Sequence, residues 1–295
     1  MQDQAELLRE MMKTKTTTRS AAGDVQEQEK TRVITVASGK GGVGKTNISI
    51  NLALAYAKMG KKVIVLDADL GLANVNVVLG VIPKFNLYHV IRKQKTMKEV
   101  ILDTNYGIQI VAGASGFSRV ANLTDDERNN FIKELAELSS ADILIIDTSA
   151  GVSQNVLAFV EAADDVLIVT TPEPTAITDA YGIIKIISTE IENLDMSLKL
   201  IVNRVANVTE AKKVSHKVIS IAAQFLNLKV DYLGFVYEDT AVPTAVRKQL
   251  PFMVAEPKGQ ASMCMQSIAS RLENVEFKEG KGVSQFIRRL MRRME

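Results

Sequence analysis

A glycine-rich loop with two lysines is the most informative segment of the chain for chemistry. Its residues are Gly39, Lys40, Gly41, Gly42, Val43, Gly44, Lys45 and Thr46. Glycines at such positions allow positive φ angles and a close approach of backbone N–H groups to phosphate oxygens. Where a lysine and a hydroxyl lie side by side at the start of a helix, the lysine can bind the phosphates and the hydroxyl can bind Mg²⁺. The spacing Gly-x4-Gly-Lys-Thr, followed by Asn47, therefore predicts a nucleoside triphosphate site rather than an ordinary turn.

Acidic residues that follow apolar strands form the second part of the predicted site. Asp67 and Asp69 end a strand in the segment VLDADLGLANVN, and Asp147 ends the run ILIID. Asp147 is a candidate Walker B residue that would hold Mg²⁺ through water. Each aspartate taken alone is equally well explained as a cap of a turn or helix. Their common position in a chain with a phosphate loop favours the phosphate and metal role.

The composition is that of a globular protein and argues against several other classes. Of 295 residues, 46% are hydrophobic and 24% charged, which suffices for one large α/β domain or two small ones. One cysteine, two histidines and the lack of a long apolar run argue against a disulfide framework, a histidine metal cluster and a membrane span. We expect a cytoplasmic protein, and a net charge of +2 does not indicate specific nucleic-acid binding.

Short apolar runs alternate with longer amphipathic ones, which is typical of βαβ units. Strands are predicted at 33–37, 62–66, 108–112, 143–146, 166–170, 198–203 and 232–236. Helices are predicted at 48–59, 125–139, 177–192, 211–226 and 260–273. The order predicts an α/β fold with a doubly wound, mostly parallel sheet flanked by helices, and ligands at the carboxyl ends of the strands.

The loop contains Lys40 in addition to Lys45, and Lys40 is not needed to bind the phosphates. The letters KGGVGKT resemble the deviant Walker A motif of the MinD/ParA family of P-loop ATPases. The resemblance implies that Lys40 reaches the nucleotide of a second subunit, so that two chains enclose two ATP molecules and hydrolysis separates them. A solvated loop charge is the alternative interpretation of Lys40.

The same resemblance implies roles in hydrolysis. Asp69 would orient the attacking water, so that Lys40, Lys45 and Asp69 are the predicted catalytic residues. Thr46, Asp67 and Asp147 would surround Mg²⁺. The family commonly has a proline in the segment after the Walker B strand, where this chain has Ser149. Gly151 would still donate its backbone N–H to the γ-phosphate.

Two strand ends supply the predicted base site. By resemblance, Asn203 recognises the adenine edge with Arg204 beside it, and Tyr237 and Glu238 line the base and ribose. If the family resemblance is set aside, an ordinary turn residue is the favoured interpretation of Asn203.

The last segment, 283–295, combines an apolar stripe with clustered arginines, behind a predicted hinge at 278–282. The stripe and its flanking arginines are Val283, Phe286, Ile287, Arg288, Arg289, Leu290, Met291, Arg292, Arg293 and Met294. This pattern is typical of a cationic helix that lies on an anionic membrane surface. One tail binds marginally, whereas two tails in an ATP dimer bind by avidity. Core packing, nucleic acid and an acidic partner are the alternatives.

The N-terminal segment 1–12 is set apart by a polar stretch at 13–31 that is typical of a flexible linker. Its letters DQAELLR closely resemble the activator motif of the FlhG family, also called FleN or YlxH, through Asp3, Gln4, Ala5, Leu8 and Arg9. The resemblance implies that this helix stimulates the signal-recognition-type GTPase FlhF. Without the family, a frayed polar start is the favoured interpretation.

Together these features predict a MinD/ParA-like ATPase domain at 32–277, a slow, switch-type ATP hydrolase with ATP and Mg²⁺ as cofactors. By resemblance to the FlhG family, the protein would control flagellar number and placement and form a homodimer with ATP. It would bind FlhF and switch-ring proteins of the FliM, FliN and FliY kind. In the ATP state it would lie on the inner face of the cell membrane. A MinD-type septum-site ATPase and a ParA-like nonspecific DNA-binding protein remain the alternatives.

Overall fold

The computed structural model describes residues 31–69, 74–113, 130, 131, 133–191, 196–226, 228–274 and 282–294. The predicted activator helix with Asp3, Gln4, Ala5, Leu8 and Arg9 lies outside the described residues. So do nearly all of the predicted linker at 13–31 and most of the predicted hinge at 278–282.

A sheet of eight strands lies at the centre of the described structure, in the order β3-β4-β2-β5-β1-β6-β7-β8. The strands are β1 (Arg32–Ala37), β2 (Val63–Ala68), β3 (Leu102–Asp103), β4 (Gln109–Val111), β5 (Ile143–Thr148), β6 (Asp165–Thr170), β7 (Ser197–Val205) and β8 (Asp231–Tyr237). Neighbouring strands pair in parallel except β3, which is antiparallel to β4. The predicted α/β fold with a mostly parallel sheet is confirmed. The sequence did not predict β3, because two residues are too few to show a periodicity.

Helices cover both faces of the sheet. They are α1 (Lys45–Lys58), α2 (Val75–Val78), α3 (Leu87–Ile91), α4 (Met97–Val100), a 3-10 helix (Ala136–Ser140), α5 (Gln154–Ala162), α6 (Pro174–Glu190), α7 (Val208–Leu226), α8 (Ala241–Arg247), α9 (Phe252–Ala255), α10 (Gln260–Asn274) and α11 (Gly282–Met294). Four predicted helices correspond to α1, α6, α7 and α10. The predicted helix at 125–139 begins outside the described residues and runs into the 3-10 helix.

The central strands β1, β2, β5 and β6 are buried along their whole length. Successive side chains therefore enter two different apolar layers. Val33 of β1 belongs to the layer that also contains residues of α5, α6, α7 and α11, which we call the tail face. Ile34 belongs to the layer that contains residues of α1, α8, α9 and α10, which we call the loop-helix face.

The C-terminal helix α11 packs its apolar stripe against the domain. The buried positions of the stripe are Val283, Phe286, Ile287, Leu290 and Met291. The ring of Phe286 stacks on Phe159 of α5, with 6.4 Å between the centroids and 15° between the planes. This structure thus shows the packed arrangement of the helix, and its membrane role stays a prediction.

Candidate nucleotide-binding site

The phosphate loop connects the carboxyl end of β1 to the first turn of α1. Gly42 and Gly44 have φ angles of 77° and 99°, which glycine adopts without strain. Gly44 directly precedes the helix, and Lys45 is its first residue. The free N–H groups and positive end of the α1 dipole therefore point to the place where the loop would hold phosphate.

Gly39 is needed for close packing rather than for a positive φ. A Cβ atom at Gly39 would lie 2.0 Å from the backbone oxygen of Asp179 on α6. The first part of the loop is therefore in direct contact with α6. A change at this glycine must move the loop or the helix.

The ammonium group of Lys45 lies among carboxylates. The residue is only 8% exposed. Burial lowers the pKa of Lys45, and the charges of Asp147 and Asp69 act in the opposite direction. A negatively charged phosphate would add to the favourable charges and hold the lysine protonated.

Asp147 accepts hydrogen bonds from two hydroxyl groups of α1. Thr46 Oγ1 lies 2.6 Å from Asp147 Oδ2, and Ser49 Oγ lies 2.8 Å from Asp147 Oδ1. Burial raises the pKa of Asp147 to about 6 despite these hydrogen bonds. Ser49 was not among the predicted site residues, although its position three residues after Thr46 puts it on the same helix face.

Asp67 lies directly opposite Asp147 where β2 pairs with β5. Its carboxylate accepts backbone hydrogen bonds from Asp69, Asn74 and Val75 at 2.9 to 3.1 Å. Burial, and then the charge of Asp147, raise the pKa of Asp67 to about 7, although the hydrogen bonds oppose this shift. Two buried carboxylates that repel each other are a suitable place for a divalent cation.

The three predicted metal-site residues are thus brought together beside Lys45. The oxygens of Thr46, Asp67 and Asp147 are hard donors of the kind that Mg²⁺ prefers. Among the described residues, no cluster of three or more His, Cys, Asp or Glu side chains forms a complete metal cage. The arrangement fits an ion that takes its remaining ligands from phosphate and water, which would neutralise charge on the phosphates. The buried Oδ1 atom of Asn47, which has no hydrogen-bond partner in the described structure, lies on the same helix turn.

Asp69, the predicted residue for water activation, lies just beyond the end of β2. Its backbone N–H donates to Asp67, and Asn74 Nδ2 lies 3.4 Å from its Oδ2. It is partly exposed, as a residue that positions water must be.

The segment after β5 is closed onto the phosphate loop. Gly151, with a φ of 92°, donates its N–H to the carbonyl oxygen of Ser38 at 2.9 Å. The predicted donation from Gly151 to a γ-phosphate therefore requires this hydrogen bond to break. Two residues later, Ser153 caps the N-terminus of α5.

Asn203 and Arg204 lie in the last residues of β7, Tyr237 ends β8 and Glu238 follows it, but Asn203 faces the loop in this structure. Its Nδ2 donates to the carbonyl of Val43 at 2.8 Å, and its Oδ1 accepts from the N–H of Arg204 at 2.9 Å. Arg204 has a φ of 56°, which is uncommon outside glycine. Contact with an adenine edge would require Asn203 to exchange the Val43 carbonyl for the base.

Tyr237 and Glu238 occupy the neighbouring strand end. Tyr237 packs edge-on against Phe235, with 4.9 Å between the ring centroids, and Glu238 is exposed. The N–H of Glu238 donates to the carbonyl of Val205, so the two strand ends are held side by side.

Lys40 projects to the outer surface of the loop, where two residues at the start of α6 hold it. Its Nζ donates to Glu173 Oε2 at 2.8 Å and to Thr175 Oγ1 at 2.7 Å. The hydrogen bond from Lys40, and then its charge, lower the pKa of Glu173. This pairing could not be predicted from the sequence, because Lys40 and Glu173 are 133 positions apart in the chain.

The arginines of α11 meet one buried carboxylate on α5. Glu161 is 6% exposed. Arg292 Nη2 lies 3.3 Å from Glu161 Oε1, and Arg293 Nε lies 3.7 Å from Glu161 Oε2. Arg293 also donates to the carbonyl of Glu190 at 2.8 Å. Arg288 is exposed, and Arg289 Nη1 lies 3.5 Å from the carbonyl of Glu161.

Comparison with known proteins agrees with this geometry. The model of the CobQ/CobB/MinD/ParA nucleotide-binding domain matches residues 34–252. The chain is 38% identical to the antiactivator FleN of Pseudomonas aeruginosa over 82% of this chain and 86% of that protein. It is 37% identical to the flagellum site-determining protein YlxH of Helicobacter pylori over 89% of this chain and 90% of that protein.

A solved structure has the same fold. It is the septum site-determining protein MinD of Pyrococcus horikoshii in complex with Mg-ADP, with a TM-score of 0.67 and 24% identity over 85% of this chain and 99% of that chain. The prediction of ATP and Mg²⁺ as cofactors is confirmed at the level of the family, whose MinD/ParA members use both. In the part of the chain that the structure describes, no helix is long and apolar enough to span a bilayer. The chain therefore belongs to the MinD/ParA family of P-loop nucleotide-binding ATPases, in its FlhG (FleN/YlxH) branch.

Proposed function

We propose that this protein is a regulatory ATPase that controls the number or placement of flagella through an ATP-dependent dimer. The similarity to FleN and YlxH, two proteins named for flagellar control, supports the cellular role. The partly exposed position of Lys40, at the outer side of a complete phosphate loop, is the observation that carries the switch mechanism. Hydrolysis is slow in this proposal, because its purpose is to change the assembly state.

In the proposed cycle, ATP draws Lys40 away from Glu173 to the phosphates of a second subunit. Asp69 positions the attacking water, and the N–H of Gly151 moves from Ser38 to the γ-phosphate. Loss of that phosphate removes the charge that attracts Lys40, and the dimer separates. Sedimentation of the protein with ATP, ADP and a nonhydrolysable ATP analogue tests this step. A Lys40→Ala protein that still dimerises with the analogue would contradict it.

We infer further that α11 leaves α5 and lies on an anionic membrane in the ATP state. The five apolar side chains buried in this structure are those that would enter the lipid interface. Arg292 and Arg293, which contact Glu161, would then meet lipid phosphates. The Asp147–Gly151 segment leads directly into α5, so a shift at the γ-phosphate acts on the helix that holds the tail.

Hydrogen exchange of the full chain with ADP and with the ATP analogue tests the release of α11. Protection of residues 283–293 with ADP, and its loss with the analogue, is expected. Equal protection in both states would end this part of the proposal.

The N-terminal segment carries the proposed contact with the GTPase FlhF. The support is the match of residues 3–9 to the activator motif. GTP turnover by FlhF, measured with a peptide of residues 1–20 and with the same peptide carrying Gln4→Ala, tests the contact. Stimulation by the first peptide alone is expected, and no stimulation by either would refute it. The proposed contacts with switch-ring proteins rest on the family resemblance alone.

ATP-gated DNA binding, as in ParA-like proteins, is the second candidate. The observation that favours it is the cluster of arginines on α11. DNA binding should weaken steeply with salt, whereas membrane binding by α11 should require acidic lipid and lose strength when Phe286 is replaced.

A further inference from the structure

A second basic surface lies beside the packed tail. Between residues 74 and 100 the chain has five lysines or arginines and one carboxylate, Glu99. The five cations are Lys84, Arg92, Lys93, Lys95 and Lys98, which we call the α3–α4 patch. Four of them are exposed, and Lys95 is partly exposed. The segment therefore carries more net positive charge than the whole chain, whose net charge is +2.

Aromatic side chains hold two of these cations in place. Lys95 Nζ lies 4.4 Å from the centroid of the Phe85 ring, and the Arg92 guanidinium lies 5.4 Å from the Tyr88 ring centroid. Such contacts reduce the freedom of long side chains without neutralising their charge. The carboxylates of Glu99 and Glu137 pair with Lys95 and Lys98, but these are exposed pairs, which are weak and exchangeable.

The patch and the tail lie on the same face of the sheet. Leu87, Val90 and Met97, from α3 and α4, belong to the tail-face core together with Phe286 and Ile287 of α11. The 3-10 helix lies between them, because it contacts both α4 and α11. The pair Lys98–Glu137, with 3.2 Å between nitrogen and oxygen, joins the patch to this helix.

The end of α10, from which the chain leads to α11, lies near the amino ends of the central strands. Leu272, near the end of α10, receives a hydrogen bond from Arg32 at the amino end of β1, and the 3-10 helix directly precedes the amino end of β5. Only seven residues, 275–281, connect α10 to α11, and they span at most about 25 Å. A tether of this length keeps a released α11 within about 25 Å of the end of α10, where Leu272 contacts the amino end of β1.

We propose that the α3–α4 patch is a second contact with anionic lipid headgroups, which acts together with α11. The patch supplies a charge complementary to the membrane, and its position beside α11 allows both to touch one surface. This inference rests on the proposed membrane association. The patch would add a second weak contact to that of α11, and the two together would bind the membrane more strongly than α11 alone.

The test compares the full-length protein with two triple variants in Mg-ATP. The patch variant carries Lys84→Gln, Arg92→Gln and Lys98→Gln. The matched control carries Arg247→Gln, Lys248→Gln and Lys258→Gln, which removes the same charge from exposed positions on the loop-helix side. Binding is measured by cosedimentation with phosphatidylcholine vesicles, with and without phosphatidylglycerol, over a range of salt concentrations. Thermal unfolding and ATP turnover should be the same in both variants.

Each cation that reaches the headgroups should strengthen binding about fivefold. We expect the patch variant to need about tenfold to a hundredfold more anionic lipid for half-saturation and to show a weaker salt dependence. The control variant should bind like the unmodified protein. Equal binding by patch variant and control would overturn the patch while leaving the proposed function intact.

Two further outcomes would also overturn the proposal. If the unmodified protein fails to bind anionic vesicles with ATP, both the patch and the membrane part of the proposed function are wrong. If the patch variant loses affinity only for a short random-sequence DNA duplex, and not for vesicles, the patch is a nucleic-acid surface instead.

Discussion

Replacing Glu161 with glutamine should loosen the packed tail without changing any residue of the tail itself. The amide keeps the shape of the carboxylate but removes its charge. Because Arg292 and Arg293 would use the same charges on lipid, Glu161 and the membrane compete for them in the proposed cycle. The substitution should therefore favour the released helix in every nucleotide state.

The magnitude follows from the two ion pairs. The Arg292 side chain is 73% exposed, so its pair at 3.3 Å contributes at most about 0.5–1 kcal/mol. The Arg293 side chain is 21% exposed, but its Nε lies 3.7 Å from the carboxylate and makes no hydrogen bond to it, so about 1 kcal/mol is an upper value. Together the loss is about 1–2 kcal/mol, which corresponds to about a fivefold to thirtyfold increase in the released population.

Hydrogen exchange of α11 and cosedimentation with anionic vesicles, both with ADP, measure this change. Faster exchange of 283–293 and tighter lipid binding in ADP are expected for Glu161→Gln. Glu190→Gln is the matched control, because the Glu190 side chain is 51% exposed, so that its pair with Arg293 is a weak surface pair, and Arg293 keeps its hydrogen bond to the Glu190 backbone carbonyl. Unchanged exchange and unchanged lipid binding in Glu161→Gln would refute the idea that this carboxylate retains the tail.

Three further substitutions test the nucleotide site. Glu173→Gln should strengthen analogue-dependent dimerisation up to about fivefold in sedimentation, because each subunit loses an exposed ion pair that restrains Lys40; unchanged or weaker association would contradict this. Gly39→Ala should destabilise the protein by about 1–3 kcal/mol in urea unfolding and weaken ATP binding, since its Cβ would lie 2.0 Å from the Asp179 oxygen. Without nucleotide, the contribution of Asp67 to stability should fall as pH rises from about 4 to about 7, because the native pKa of Asp67, about 7, exceeds its unfolded value and the native state binds the extra proton in that interval. Asp67→Asn should reduce this slope in urea unfolding measured over the same pH range, and an unaltered slope would contradict the assignment.

The sheet and the phosphate site could be predicted from the sequence because both depend on local patterns. Continuous apolar runs identify strands that are buried on both faces, and glycines with a lysine and a threonine identify the loop. Asp67 and Asp147 could be paired in advance, since parallel strands bring their carboxyl ends to one edge. The short helices α2 to α4 escaped prediction, because four or five residues show no periodicity.

Long-range contacts account for most of what the sequence could not predict. Nothing local indicates that Lys40 meets Glu173, or that Asn203 holds the Val43 carbonyl. The apolar stripe of α11 is the instructive case, since the same spacing fits a lipid interface and a protein core. Only the packing of Phe286 on Phe159 shows which of the two this structure contains.

In the proposed cycle, the position of α5 connects the nucleotide site to the packing of α11. Its N-terminus follows Gly151, whose N–H is bonded to the phosphate loop, and its C-terminal turn carries Glu161. The carbonyl of Phe159 also accepts a hydrogen bond from Thr35 of β1 at 3.1 Å, so α5 is tied to the strand that leads into the loop. We therefore expect a shift of the Gly151 segment to act on the part of α5 that contacts Phe286. Because cores are closely packed, a displacement of a fraction of an ångström there would weaken the Phe159–Phe286 contact, which in the proposed cycle holds α11 away from the membrane.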